Sequence, residues 1–567
     1  MAFSLRTLIV AALTGAALPA FAADAQETPA AAPKAAVEAS SLTPQILYQF
    51  LLAEIAAARN QMLIAAGAYA DLAKQIPDVR IAKRASEMAY HSRQPELAME
   101  TTRRWLELDP SSPQARQTLW SLLASAGKTD ELVAELGSAL KGEGPGLGGA
   151  LMQLNRLLSR TTDRSFVRLV IDRVTEPYLQ IPEAHYARSV AAQNAQDDAA
   201  ALREAEEALR LRPDWEAAFL MRLRLAPPAP EQGVVQLAEF LARNPAALDA
   251  RLARARLLLD LKRYEDSRSE FNELLRRQPD NPEILYAVSL LSMELGDAAS
   301  AEKHLRRLMV LGFSDMDGVR FYLAQIVEQN KQTGEAISLY DAVSAESKHY
   351  PLAQSRAADL LRSQGKLDEA LAHVERAAEA APRERVTLML AEAQLLTEAG
   401  RLNEAYDVLA RELALRPDEP QLLYESSMLA EKLGRFDVLE ANLRKLIKLK
   451  PDYAHAYNAL GYSYADRNLQ LPEALSLIEK ALGLAPDDPF ILDSKGWVLF
   501  RMGDFGNAEK FLRQALDKRG SDPEITAHLV EVLWGAGRKD EANRLLDAAA
   551  RKSADNAVLR SLRERLH

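Results

Sequence analysis

Histidine is the side chain that most readily moves protons or binds metal near neutral pH. It occurs eight times, at His91, His185, His304, His349, His373, His455, His528 and His567. No two of these lie three to five residues apart, so no helix carries a histidine pair with metal-ligand spacing. Cysteine is absent, which removes thiolate nucleophiles, disulfides, sulfur-ligated metals and lipidated cysteine together. The stretch KGEGPGLGGA, Lys141 to Ala150, holds five glycines in ten residues. It lacks both the Lys-Ser/Thr pair and the preceding strand of a phosphate loop. Neither H-E-x-x-H nor G-x-S-x-G occurs. Acidic residues are scattered at helical spacing among Lys and Arg, the pattern of solvated helix faces with i,i+4 pairs. The expectation is a non-enzyme with no catalytic residue, no metal and no cofactor, which acts by binding.

The charge balance narrows the partners. With 70 basic against 80 acidic residues the formal net charge is −10, which argues against nucleic acid as a partner. Protein partners are expected, self-association among them. The first residues, MAFSLRTLIVAALTGAALPAFAADAQ, read as an export signal. Arg6 precedes an apolar run from Leu8 to Leu18, and Ala20-Phe21-Ala22 forms an A-x-A site that places cleavage between Ala22 and Ala23. The run is too short to span a bilayer and no later segment is apolar enough. A periplasmic protein that is not a lipoprotein is expected. Residues 23–42, rich in Ala and Pro, read as a flexible tether.

The elements that must carry any binding surface show a period. Gly503, Ala508, Leu512 and Ala515 have counterparts 34 residues later in Gly537, Ala542, Leu546 and Ala549. The small residue at Ala508 recurs upstream at Ala474, Leu439, Ala405, Ala370, Ala336, Ala301 and Ser267, at spacings of 34 or 35 residues. Earlier beats fall at Val235, Ala201, near Val167, and at Leu132, Ala98 and Ala65. Glycine keeps time at 127, 296, 365, 400, 434, 503 and 537. Proline does so at 77, 110, 213, 245, 279, 382, 417, 451 and 486. Glycine admits the left-handed turn between two helices, a small residue allows the helices to cross closely, and proline ends the second helix.

This is the tetratricopeptide pattern. It predicts an all-α, right-handed superhelical solenoid of roughly 13 to 15 helix pairs. The expected organisation is a signal at 1–22, the tether at 23–42, an N-terminal arm at 43–140, a glycine-rich loop at 141–150 and the main solenoid at 151–567. In such repeats positions 2, 5, 9 and 12 of each first helix face a groove. They map here to Tyr286, Phe321, Gln325, Arg362, Tyr424, His455, Asn458, Tyr462, Asp493 and Trp497, a wall of aromatic and amide groups suited to a protein partner.

Two longer stretches carry a finer resemblance. LTPQILYQFLLAEIAAARNQ (Leu42 to Gln61), with RIAKRASEMAY and WLELDP after it, is one. AYNALGYSYADRNLQLPEALSLIEKALGLAPDDPFILDSKGWVLFRMGD (Ala456 to Asp504) is the other. Together they resemble a group of proteobacterial envelope proteins built from tetratricopeptide repeats, among them the outer-membrane lipoprotein adaptor of a periplasmic carboxyl-terminal processing protease. The resemblance implies a scaffold that binds the protease and delivers cell-wall hydrolases to it. The lipidated cysteine of that adaptor has no counterpart in this chain. The alternative is an assembly factor for an envelope complex, such as exopolysaccharide secretion or outer-membrane biogenesis, whose subunits would be its partners.

Overall fold

The computed structural model describes residues 43–520, 522–552 and 556–566. The export signal, its cleavage site at Ala22–Ala23 and the Ala/Pro-rich tether lie outside the described residues. Among the described residues there are 31 α-helices and no strand. No helix among them is long and apolar enough to cross a membrane.

Two compact units divide the chain, residues up to Asp297 and residues from Ala298. The first contains fourteen consecutive helices between Pro44 and Arg277, most of them packed on their chain neighbour, then the helix Pro282–Glu294; Leu147–Leu157 packs chiefly on Pro182–Asn194, and Glu216–Leu225 meets Pro230–Arg243 mainly through the stacked rings of Phe219 and Phe240. The second opens with Ala298–Leu311, continues with seven pairs between Met316 and Lys552, and closes with Ala557–Leu566. Within each unit helices pack on their chain neighbours, and several also pack on the helix two further on. This is the stacking of a solenoid, in which each pair completes its core against the next.

The punctuation places the helix ends. Thirteen helices are followed, two residues past their last helical residue, by a residue in the left-handed region. Seven of these are the glycines of the repeat beat, and six are Asn60, Arg93, Gln196, Lys262, Lys331 and Asn468. The nine in-phase prolines each stand two residues after a second helix, as Pro486 follows Leu484.

The small residues mark the helix crossings. Ala65, Ala98, Leu132, Ala201, Ser267, Ala301, Ala336, Ala370, Ala405, Leu439, Ala474 and Ala508 have no exposed surface, and Val167 has almost none. Val235 breaks the series, because it is 56% exposed. Gly233 takes the register position, buried, with an added Cβ 2.8 Å from Leu257 Cδ2 on the first helix of the following pair. The first helix of that pair, Glu216–Leu225, has 10 residues where its neighbours Pro182–Asn194 and Leu248–Asp260 have 13, so the second helix starts early and the beat advances. First helices contribute their own close approach. A Cβ on Gly461 would meet Ile478 Cγ1 at 2.7 Å and the Ala474 carbonyl at 2.9 Å, and one on Gly496 would meet Leu512 Cγ at 2.5 Å.

The two irregular stretches are short. Gly144–Gly146 forms one 3-10 turn and Leu147–Leu157 is helical, so Gly148 and Gly149 lie inside a helix. The proline-rich connection occupies only residues 226–229, between Glu216–Leu225 and Pro230–Arg243.

Candidate protein-binding face of the C-terminal repeats

Three first helices of the second unit, Pro420–Lys432, Ala454–Asp466 and Pro489–Arg501, carry the densest group of expected groove residues, and Pro523–Gly535 follows them. The last two are fixed at their starts by aspartate caps with proline next in line, the arrangement that begins a helix sharply. Asp488 accepts from the backbone N–H of Phe490 at 2.8 Å and of Ile491 at 3.1 Å. Asp522 does the same for Glu524 and Ile525. Ala454–Asp466 packs against Pro489–Arg501, which packs in turn against Pro523–Gly535.

That alignment puts Asn458, Asp493 and His528 in the same register position of consecutive repeats, 35 residues apart. His528 Nδ1 lies 2.9 and 3.0 Å from the two carboxylate oxygens of Asp493. The Trp497 ring stacks on the imidazole, with centroids 4.2 Å apart and planes at 26°. Tyr462 reaches the same imidazole at 6.1 Å and Phe500 reaches Trp497 at 5.2 Å. The Arg501 guanidinium lies 5.7 Å from the Trp497 ring centre. Burial pushes the His528 imidazolium down. The hydrogen bond and charge of Asp493, with Glu524 and Glu531, outweigh it, and His528 sits above its ordinary value. The Tyr462 phenol is raised, chiefly by burial.

The nine expected residues of the second unit do not form one continuous wall. Tyr286 lies in the first unit and is buried. Phe321 is buried as well, stacked on His349 at 4.7 Å. Asp493 and Trp497 are buried between neighbouring first helices and do not line an open groove. The reason is that the side chain arriving from the next repeat, His528, fills the space in front of them. Gln325, Arg362, Tyr424, Asn458 and Tyr462 are half-buried, and His455 alone is exposed. Arg362 is engaged by Glu398 at 2.8 Å, and Tyr424 lies 5.6 Å from Tyr453. Only Tyr462, Asp493 and Trp497 are drawn together. Their fourth member, His528, was not among the expected residues, although its spacing of 35 from Asp493 was the signal that could have found it.

On the helices of Tyr462 and Trp497, His455 and Phe490 are exposed, and Arg501 is partly so. Nearby, a cleft of about 250 Å³ opens between Arg385–Glu398 and Pro420–Lys432. It is lined by Gln394, Thr397, Glu425, Met428 and Lys432 among others. Burial raises the Glu425 carboxyl there. Two buried polar atoms on these helices, Trp497 Nε1 and Asn458 Oδ1, have no hydrogen-bond partner among the described residues. Asp493 and His528 satisfy one another, and the stacked indole holds the imidazole in place. The arrangement sets aromatic side chains on successive first helices, beside a cleft.

A stack of helix pairs with small residues at most crossings and a side-chain row on successive first helices defines a repeat-built binding protein. Family models described as tetratricopeptide repeat match residues 327–393 and 499–566, and residues 230–282 and 424–489. A TPR repeat-containing protein of Pseudomonas aeruginosa is 31% identical over 527 residues, covering 87% of this chain and 83% of that protein. The chain belongs to the tetratricopeptide-repeat family. Cellulose synthase operon protein C of Pseudomonas fluorescens is 26% identical over 356 residues, 57% of this chain and 27% of that protein. Among solved structures, a thermophilic TPR protein of Thermus thermophilus shares 27% identity over 31% of this chain and 95% of its own, with a TM-score of 0.29. As in the family generally, the repeats make a protein-protein interaction scaffold, a fold that is typically non-catalytic.

Proposed function

We propose that this chain is an exported periplasmic adaptor whose partner docks on the first helices between Pro420 and Gly535. The reading takes the partner to be a carboxyl-terminal processing protease, and the cargo to be the cell-wall hydrolases that such a protease removes. The observation that carries it is the row of accessible side chains on successive first helices, the exposed His455 and Phe490 with the half-buried Tyr462, Phe500 and Arg501, on helices braced beneath by the buried Trp497 and the Asp493–His528 pair. Accessible aromatic side chains held by a rigid backbone, with an arginine beside them, are the groups that dominate protein interfaces. The A-x-A site at Ala20–Ala22 supports the compartment, and the stretch from Ala456 to Asp504, which carries the resemblance to the protease adaptor, contributes Tyr462, Phe490, Trp497, Phe500 and Arg501 to this face.

The likeness to a cellulose synthase operon protein favours a second reading, an assembly factor for an envelope complex such as exopolysaccharide secretion. Affinity capture of the mature chain from periplasmic extract separates the two. A processing protease in the eluate, lost with Phe490→Ala/Arg501→Glu, supports the adaptor. Envelope-complex subunits without a protease move the second reading into first place. Recovery from the cytoplasm of an uncleaved chain overturns the compartment.

A further inference from the structure

A cleft of about 580 Å³ opens in the first unit along three first helices, Val79–His91, Pro113–Ser125 and Leu147–Leu157. Trp105, buried on the intervening helix Pro95–Leu108, lines it, and so does Tyr90, which is 60% exposed. Gln114, Gln117, Thr118 and Ser121 supply amide and hydroxyl groups from one helix, and Ser159 adds a hydroxyl from the turn beyond Leu157. Arg156 and Arg160, four residues apart, complete the lining and are exposed. Neither guanidinium makes an ion pair or a hydrogen bond among the described residues. The one carboxylate lining the cleft, Glu87, is held by Arg84 at 3.5 Å. Lys83 is occupied as well, donating to Gln114 at 3.0 Å. In a chain of net charge −10 the cleft therefore keeps two cations unneutralised.

We propose that this cleft binds an extended acidic segment of a partner protein, whose side-chain carboxylates take the Arg156 and Arg160 guanidinium groups. A guanidinium fork matches a carboxylate and holds it through two parallel hydrogen bonds. The amides and hydroxyls of the lining offer both donors and acceptors, which the backbone of an extended chain needs. Helices pack about 8–10 Å apart, so three of them span about 16–20 Å, the reach of about six extended residues. Tyr90 gives that segment an open aromatic ring. The arginines line one end only, and the amides and Tyr90 continue across the other two helices, so recognition runs along the segment and not at a chain terminus. Two free cations are too few to neutralise the phosphate row of a nucleic acid on a chain of this charge. This occupant is separate from the one read for the first helices between Pro420 and Gly535, and neither depends on the other.

Fluorescence anisotropy on the chain beginning at Ala23 tests this with an amidated, fluorescein-labelled peptide in which glutamate alternates with serine and glycine. The peptide should bind, and its glutamine counterpart should bind at least about tenfold more weakly. Arg156→Glu/Arg160→Glu should weaken the glutamate peptide at least about tenfold, with helical circular dichroism unchanged. Arg243→Glu/Arg277→Glu, equal in charge and exposed on other helices, should bind it like the wild type. No saturable binding up to about 1 mM overturns the inference. So does binding that is indifferent to Arg156→Glu/Arg160→Glu or shared equally by the glutamine peptide. Residues 23–42 hold Asp24, Glu27 and Glu38, and Asp24→Asn/Glu27→Gln/Glu38→Gln should leave the affinity unchanged. A rise in affinity there overturns the inference in favour of the chain's own segment. An oligogalacturonate that binds more tightly than the peptide and displaces it overturns it in favour of an acidic glycan.

Discussion

Asp493 and His528 hold the same register position in consecutive repeats and meet through the imidazole Nδ1, 2.9 Å from the nearer carboxylate oxygen. A side chain on one repeat thus completes the packing of the one before it, and the joint can be titrated. The folded-state value of His528 is raised above the unfolded one, so the stabilisation is fully present below about pH 6.5 and is lost as pH rises through the folded value. His185 is raised in the same sense, first by its hydrogen bond to Glu204. His528→Gln should therefore lower the midpoint of chemical unfolding at pH 6 more than at pH 9. Denaturation curves at the two values check it, and an equal loss at both would show that the pair contributes only packing.

The crossing of Pro489–Arg501 over Phe505–Arg519 leaves no room at Gly496, where a Cβ would lie 2.5 Å from Leu512 Cγ and 3.0 Å from the Ala508 carbonyl. Gly496→Ala should cost about 1–3 kcal/mol, the usual cost of overpacking. Gly506→Ala, with nothing within 4 Å of the new atom, should be neutral or gain up to about 1 kcal/mol. Urea unfolding of the two variants compares them.

Glu412 is buried, with Arg385 and Arg416 each 2.7 Å from its carboxylate. Removing the acceptor leaves two guanidinium groups without it. Both keep contact with solvent, so the loss in Glu412→Ala should be about 2 kcal/mol, below the range for a fully enclosed pair. Thermal unfolding at low and high salt measures it, and most of the loss should persist at high salt.

Lys262 adopts a left-handed turn conformation at φ 59° and is exposed. The strain on a side chain there should be relieved in Lys262→Gly, raising stability by about 0.5–1 kcal/mol. Unfolding midpoints decide it, and a fall would mean that the lysine makes a compensating contact.

Phe490 is exposed on the helix that carries Trp497, and Arg501 lies partly exposed over the Trp497 ring. If the face docks a protein, Phe490→Ala/Arg501→Glu should weaken capture of the periplasmic partner about tenfold or more, with the unfolding midpoint changed by no more than about 1 kcal/mol. Undiminished capture would place the partner elsewhere on the array.

The repeat period, the all-helical architecture, the seven turn glycines and the nine helix-ending prolines were legible in the residues alone. Each is a local requirement: a left-handed turn, a missing N–H, a small side chain where two neighbouring helices cross. Local requirements recur wherever the pair recurs. The turns at Asn60, Arg93, Gln196, Lys262, Lys331 and Asn468 were not legible, because a packed helix pair imposes the same backbone on residues that do not favour it. The slip from Val235 to Gly233 escaped the count because one helix is three residues short. Tertiary structure alone decided which groove positions remain open. The sequence places Asp493 and Trp497 on the correct helix face, but a register position does not state what the next repeat brings against it. There it brings His528, and its ring turns two expected surface residues into the packed centre of the face.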